Sequence, residues 1–221
     1  MINPKILATA LVLVSSAALG ASPSNEGGSG FLTSTDKELS LPIKSAVYGL
    51  KFQGDQVGTV MILSNTENLC DNIAKGNVEP SETRLTLATK ITDSDGRFYP
   101  TTSFGQYEVT LPGDKLVQPS DQPLGESKSL FANMTVQKFD SSCVDSAVHP
   151  GGDSSKGVFS LIKADVPLYS ADPSFTGEAK AAFSIEVGER AATVGGAFVA
   201  TYCRALSINN GDVKPQTCLS R

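Results

Sequence analysis

Between Glu178 and Val187 the chain alternates apolar and polar side chains almost one by one. Ala179, Ala181, Phe183, Ile185 and Val187 fall on one side, and Glu178, Lys180, Ser184 and Glu186 on the other. A period of two belongs to a strand, because successive Cβ atoms leave opposite faces of a sheet. The same rhythm recurs three times. Leu85, Leu87 and Ile91 alternate with Arg84, Thr86 and Lys90; Tyr107, Val109 and Leu111 with Gln106, Glu108 and Thr110; Leu130, Ala132, Met134 and Val136 with Asn133, Thr135 and Gln137. Strands of this kind pack one face on a core and wet the other, as antiparallel sheets do.

Two further runs, Val57–Leu63 and Val158–Val166, are apolar on both sides and read as central or doubly covered strands. Ala46–Phe52 and Val194–Leu206 complete the set. The expected fold is all-β: an antiparallel β-sandwich, with a β-barrel as the alternative, of about eight strands carrying two disulfides. No segment has the pattern of a long amphipathic helix, and Asn68–Lys75 suits one short helical turn. Asp95-Gly96 and Asn210-Gly211 are hairpin signals, since both central residues of such a turn take positive φ. Pro112–Ser129 and Ser141–Lys156 read as long loops, where function tends to sit. No internal repeat divides residues 31–221, which are expected to form one domain.

The beginning of the chain has a different character. Lys5 precedes an apolar run from Ile6 to Ala18, and small residues follow at Ala18 and Gly20. Residues 1–20 read as a bacterial-type secretory signal peptide, too short in its apolar part to span a bilayer. Residues 21–30, rich in Gly and Ser, read as a flexible spacer. The first cysteine is Cys70, far beyond any cleavage site, so no lipobox is present. The expected location is secreted, periplasmic or cell-surface, with no transmembrane segment after signal cleavage.

An exported chain with four cysteines, Cys70, Cys143, Cys203 and Cys218, is expected to oxidise them in pairs. A two-residue turn at Asn210-Gly211 would place Cys203 directly opposite Cys218, within bridging range, and Leu206 opposite Pro215. The expected pairing is therefore Cys203–Cys218, with Cys70–Cys143 by elimination. A bulge in that hairpin would leave the other connectivities open.

The formal net charge is −5, with 18 basic and 23 acidic residues and no basic run. Nucleic acid and anionic lipid are poor partners on these grounds. A single histidine, His149, and no Cys-x-x-Cys spacing leave little for a metal site, and no cofactor is expected. Asp93-Ser94-Asp95-Gly96 lacks the flanking ligands of a calcium loop. Gly195-Gly196 precedes an apolar strand rather than a helix, so it is not a phosphate loop. Nothing brings an acid pair such as Glu186 and Glu189, or Asp145 and Asp153, to glycosidase separation. The Asn133-Met134-Thr135 sequon falls inside an expected strand.

Gly152-Asp153-Ser154 resembles the nucleophile context of trypsin-like proteases and of GDS-class lipases, but Ser155-Lys156 follows in place of the protease's Gly-Gly. A triad there would need His149 as base, five residues upstream in the same loop. Phe98, Tyr99, Phe104 and Tyr107 could form an aromatic patch, though such residues commonly pair across strands. The candidate binding residues are thus His149, Asp153, Ser154, Tyr99 and Phe104, with no catalytic set. The expected function is an exported non-enzymatic β module, a cell-surface or envelope structural or binding protein whose partner is a protein or glycan outside the cytoplasm. The alternatives are an exported hydrolase centred on Ser154, and a secreted inhibitor presenting a loop such as Pro112–Ser129.

Overall fold

A computed structural model describes residues 28, 30–34, 42–53, 56–93, 98–100, 105–110, 128–148, 157–165, 174–187, 192–208 and 216–219. The strands are β1 (Gly30–Ser34), β2 (Ser45–Gln53), β3 (Gln56–Ser64), β4 (Asn77–Val78), β5 (Thr83–Asp93), β6 (Phe98–Pro100), β7 (Gly105–Thr110), β8 (Lys128–Phe139), β9 (Asp145–Val148), β10 (Gly157–Ala164), β11 (Glu178–Val187), β12 (Ala192–Tyr202) and β13 (Thr217–Cys218). Two short helices join them, α1 (Leu69–Lys75) and α2 (Arg204–Ile208).

The expected all-β architecture is present, and its pairings close on themselves. From β5 the ladder passes through β3, β2, β12, β11, β10, β7 and β8, and β8 pairs back with β5. Of the two β architectures expected, this circuit is that of a barrel. Six of its joints are antiparallel. Two are parallel and short: Thr201 and Tyr202 of β12 beside Val47 and Tyr48 of β2, and Glu108–Thr110 of β7 beside Phe131–Asn133 of β8. The small sheet of β4 and β13 lies apart from the circuit.

Alternation sorts the side chains. Ala179, Ala181 and Phe183 of β11 face the interior with Met61, Leu63, Leu85, Leu87, Met134, Val136, Phe159 and Leu161, while Glu178, Lys180 and Ser184 are exposed. The doubly covered character expected of Val57–Leu63 holds where side chains are described. Met61 and Leu63 enter the barrel, whereas Val60 and Ile62 lie outside it beneath α1 and α2, packed with Leu69, Ile73, Cys203 and Leu206. Full burial of an aliphatic side chain stabilises by roughly 1.5–3 kcal/mol, so this outer cluster fixes the helices firmly on β2 and β3.

The second run, Val158–Val166, is central, since β10 lies between β11 and β7, but it is not covered on both faces. On β10, Phe159 and Leu161 are inward, but Val158 and Ile162 are exposed. A register shift between Leu161 and Lys163 is a β-bulge, which puts Ile162 and Lys163 on the outside of the sheet in succession.

The seam between β2 and β12 is filled from the N-terminal side. β1 runs antiparallel along β12, from Gly30 opposite Phe198 to Ser34 opposite Val194. Just before it, Gly28 exchanges two main-chain hydrogen bonds with Ala46 of β2, at 3.0 and 3.1 Å. A Cβ on Gly28 would lie 1.7 Å from the Val199 carbonyl oxygen, so only glycine fits. The stretch read as spacer therefore ends inside the sheet.

The expected disulfide pairing is also corrected. The bridges are Cys70–Cys203 and Cys143–Cys218. The chain does not continue as a strand past Tyr202; it turns into α2, with Leu206 N–H donating to the Cys203 carbonyl and Leu206 buried under the helix. Leu206 is therefore in no ladder opposite Pro215, and the hairpin that would have aligned Cys203 with Cys218 does not form along 203–208. The Asn210-Gly211 turn and Pro215 lie outside the described residues. Cys203 is brought beside α1 by its N–H donating to the Tyr48 carbonyl at 2.7 Å, where Cys70 waits. The helical turn expected near Asn68–Lys75 is present as α1, ended by Gly76 N–H donating to the Asn72 and Ile73 carbonyls.

Candidate functional site

The described residues bring charged and aromatic groups together in two places. The first lies on the outer face of β5 beneath α1 and β4. Arg84 was expected to face water, and it does lie on the outward side of β5, yet it is 1% exposed and Glu82 is 0% exposed. The α1–β4 segment forms a second layer over this part of the barrel, and period two alone cannot announce such a layer. Arg84 Nε donates to Glu82 Oε1 at 2.6 Å and Nη2 to Oε2 at 3.0 Å. Nη2 also donates to the Asn77 carbonyl at 2.9 Å, which ties β4 to β5. The guanidinium carbon stands 5.6 Å from the centre of the Phe139 ring, a cation–π distance.

The remaining capacity of the Glu82 carboxylate is filled. The Ser64 hydroxyl donates to Oε1 at 3.0 Å and the Glu79 N–H to Oε2 at 3.0 Å. Four donors saturate the four lone-pair positions of a carboxylate. Asn72 of α1 extends the network by donating to Glu79 Oε1 at 3.1 Å. Acid–base chemistry at Glu82 would require dismantling these contacts, so the cluster is suited to fastening the outer layer. Arg84 Nη1 is buried with no hydrogen-bond partner among the described residues.

The second place is one end of the barrel. Tyr48, Tyr202 and Phe175 meet edge to face, Tyr48 with Tyr202 at 5.6 Å and Phe175 with Tyr202 at 4.8 Å between ring centres. The Tyr48 hydroxyl donates to the Asp165 carbonyl at 2.6 Å. Burial pushes the Tyr48 phenol far above its ordinary range, and the negative charges near it at Asp165 and Glu178 push the same way. It is thus held as a neutral donor, the opposite of an activated base. Asp165 itself accepts from Lys163 Nζ at 2.9 Å and from the Glu178 N–H at 3.1 Å. The Lys163 hydrogen bond, followed by that of Glu178, holds the Asp165 carboxyl below the usual range, and the Asp165 contact raises Lys163. Edge-to-face contacts of this kind pack the three rings against one another.

Of the candidates read from sequence, His149, Asp153, Ser154 and Phe104 lie outside the described residues. Tyr99 lies on β6, where its main chain pairs with Ile91. Nothing described brings these five together. Among the described residues no group of three or more His, Cys, Asp or Glu is placed to hold a metal ion, and no helix is long and apolar enough to cross a membrane. The Glu82–Arg84 pair was not singled out in the sequence; the available signal was opposite charge at two-residue spacing, which puts both side chains on one face of an extended segment.

No protein-family model matches this chain, and no curated protein and no solved structure matches it either.

Proposed function

We propose that this chain is an exported, non-catalytic β module of the cell surface or envelope, which works by presenting its outer surface to a protein or glycan. The observation that carries the reading is the state of its internal polar groups. Both carboxylate oxygens of Glu82 are saturated within the fold, and the Tyr48 hydroxyl is tied to a main-chain carbonyl. Charged groups used in this way hold layers together. The two disulfides support an oxidising location.

The test uses the mature oxidised protein. It is incubated with envelope fractions and culture medium of the producing cell, and retention is compared with that of the reduced, unfolded chain. Saturable retention on a protein or glycan by the folded form alone supports the proposal. Turnover of ester or peptide substrates that disappears in both Ser154→Ala and His149→Ala would overturn it in favour of the hydrolase.

A further inference from the structure

The two disulfides sit in unlike surroundings. Cys203 is fully buried, and its bridge to Cys70 lies in the apolar cluster with Val47, Ile62 and Leu69. Cys218 is exposed and Cys143 half-buried. The two halves of this second bridge are also held differently. Cys143 belongs to a turn with its own support: Asp140 Oδ1 accepts from the Ser142 and Val144 N–H groups at 2.8 and 2.9 Å, and the Cys143 N–H donates to the Asp140 carbonyl at 3.0 Å. Cys218 belongs to β13, both residues of which are exposed. Around it, the Thr217 N–H donates to the Gly76 carbonyl at 2.7 Å and the Leu219 N–H to the Val78 carbonyl at 2.9 Å. No residue of β13 joins either apolar cluster. Cys143 adopts a φ of 59°, a left-handed backbone that a residue with a Cβ takes up at a cost.

Disulfide cleavage needs a thiolate to reach one of the sulfurs, so access decides which bridge opens first. We propose that Cys143–Cys218 is a reducible clasp. A dithiol reductant opens it selectively, β13 then leaves β4, and the barrel persists on Cys70–Cys203. One thiolate of the dithiol attacks Cys218 Sγ, forming a mixed disulfide and expelling Cys143 as its thiolate. The reductant's second thiolate then displaces Cys218. Two electrons pass from the dithiol to the protein, the two cysteines take up the two protons the dithiol has given up, and the reductant departs as its own disulfide.

The turn at Asp140 keeps Cys143 in place, so the segment around Cys218 is the part that moves. Its departure leaves the Gly76 and Val78 carbonyls without their donors and uncovers one edge of β4. A strand edge with free carbonyls accepts another extended segment. The clasp thereby controls whether that edge is covered by the chain's own C-terminal segment.

The experiment exposes the mature oxidised protein to graded dithiothreitol under native conditions, followed by alkylation, peptide mapping and amide exchange. Cys143 and Cys218 should be alkylated at a reductant dose roughly tenfold below that needed for Cys70 and Cys203. In the half-reduced form the Thr217 and Leu219 amides should lose protection, while the Cys203 amide, bonded to Tyr48, keeps its own. A Cys143→Ser/Cys218→Ser double variant should retain the β-sheet circular dichroism of the parent. Alkylation of all four cysteines together, or of Cys70 and Cys203 first, overturns the clasp. So does continued protection of Thr217 and Leu219 after Cys143 and Cys218 are reduced, or a double variant that has lost the sheet.

Discussion

Glu82 turns both carboxylate oxygens onto the guanidinium of Arg84, at 2.6 and 3.0 Å, and neither side chain reaches solvent. A buried pair of this kind is costly to break from one side, because the partner left behind has lost both its water and its counter-charge. Arg84→Met should therefore destabilise the protein by about 3–5 kcal/mol. Glu82→Leu/Arg84→Met should cost well under the sum of the single changes, while still leaving the Ser64 hydroxyl and the Glu79 N–H without their acceptor. Urea midpoints of the four oxidised proteins give the cycle. Additive single and double effects would mean that the two side chains do not act as a unit.

Gly49 lies on β2 directly beneath α2. A Cβ there would stand 2.8 Å from Leu206 Cβ and 3.0 Å from the Ser207 main-chain nitrogen. Ser207 is itself fixed, since its hydroxyl accepts the Leu50 N–H at 2.9 Å. The helix cannot yield without giving up that bond, so Gly49→Ala should destabilise by about 1–3 kcal/mol through overpacking. Thermal or urea unfolding measures it. A neutral or stabilising Gly49→Ala would show that α2 slides freely on β2.

These two sites show what the sequence could and could not disclose. The inward face of β11 was legible because alternation and burial coincide there, with water on one side only. The double burial of β3 was legible for a related reason: Val60 and Ile62 break the alternation, which requires apolar cover on both sides. The course of the chain after Tyr202 was not legible. The apolar run from Val194 to Leu206 suits a strand and a buried helix equally, since Leu206 is apolar for the sake of α1 and β2 rather than for a sheet partner. The disulfide pairing inherited that ambiguity, because it rested on the strand continuing. Burial of Arg84 was hidden in turn, as it depends on α1 and β4 closing over one stretch of an otherwise wet face. His149, Asp153, Ser154 and Phe104 lie outside the described residues, so their expected roles rest on sequence alone.

Tyr48 gives the protein a dependence on alkaline pH. Its phenol ionises at 10.0 when unperturbed, and burial raises it far above that in the fold. Below pH 10 both folded and unfolded chains hold the proton, and the full stability is present. Above it the unfolded chain releases the proton while the folded one keeps it, so stability falls with rising pH until the folded phenol titrates. Tyr48→Phe should remove this part of the alkaline slope. At neutral pH it should cost about 1 kcal/mol for the lost bond to the Asp165 carbonyl. Urea unfolding of both proteins between neutral pH and pH 11 makes the comparison. An identical alkaline slope in the two would show that Tyr48 is not the group responsible.

The seam at Gly28 offers a test of how the N-terminal segment fills the gap between β2 and β12. Gly28 lies against the main chain of Val199 and Ala200, and its own main chain pairs with Ala46. Gly28→Ala would put a methyl group 1.7 Å from the Val199 oxygen, a distance no rotamer change relieves because the atom is backbone. The strain can be escaped if residue 28 lifts away, which sacrifices the two hydrogen bonds to Ala46 but leaves β2 and β12 joined at Val47–Thr201 and Tyr48–Tyr202. The loss in global stability should thus be capped near the value of those two bonds, about 1–3 kcal/mol. The local signature should be larger, because the Ala46 N–H then loses its only acceptor at that edge. Its amide exchange should rise by about tenfold or more for each 1.4 kcal/mol of lost local protection, while the Cys203 amide on the far side of the joint is unchanged. Equal loss of protection at Ala46 and Cys203 would instead mean that the N-terminal segment and the β2–β12 joint open as one unit.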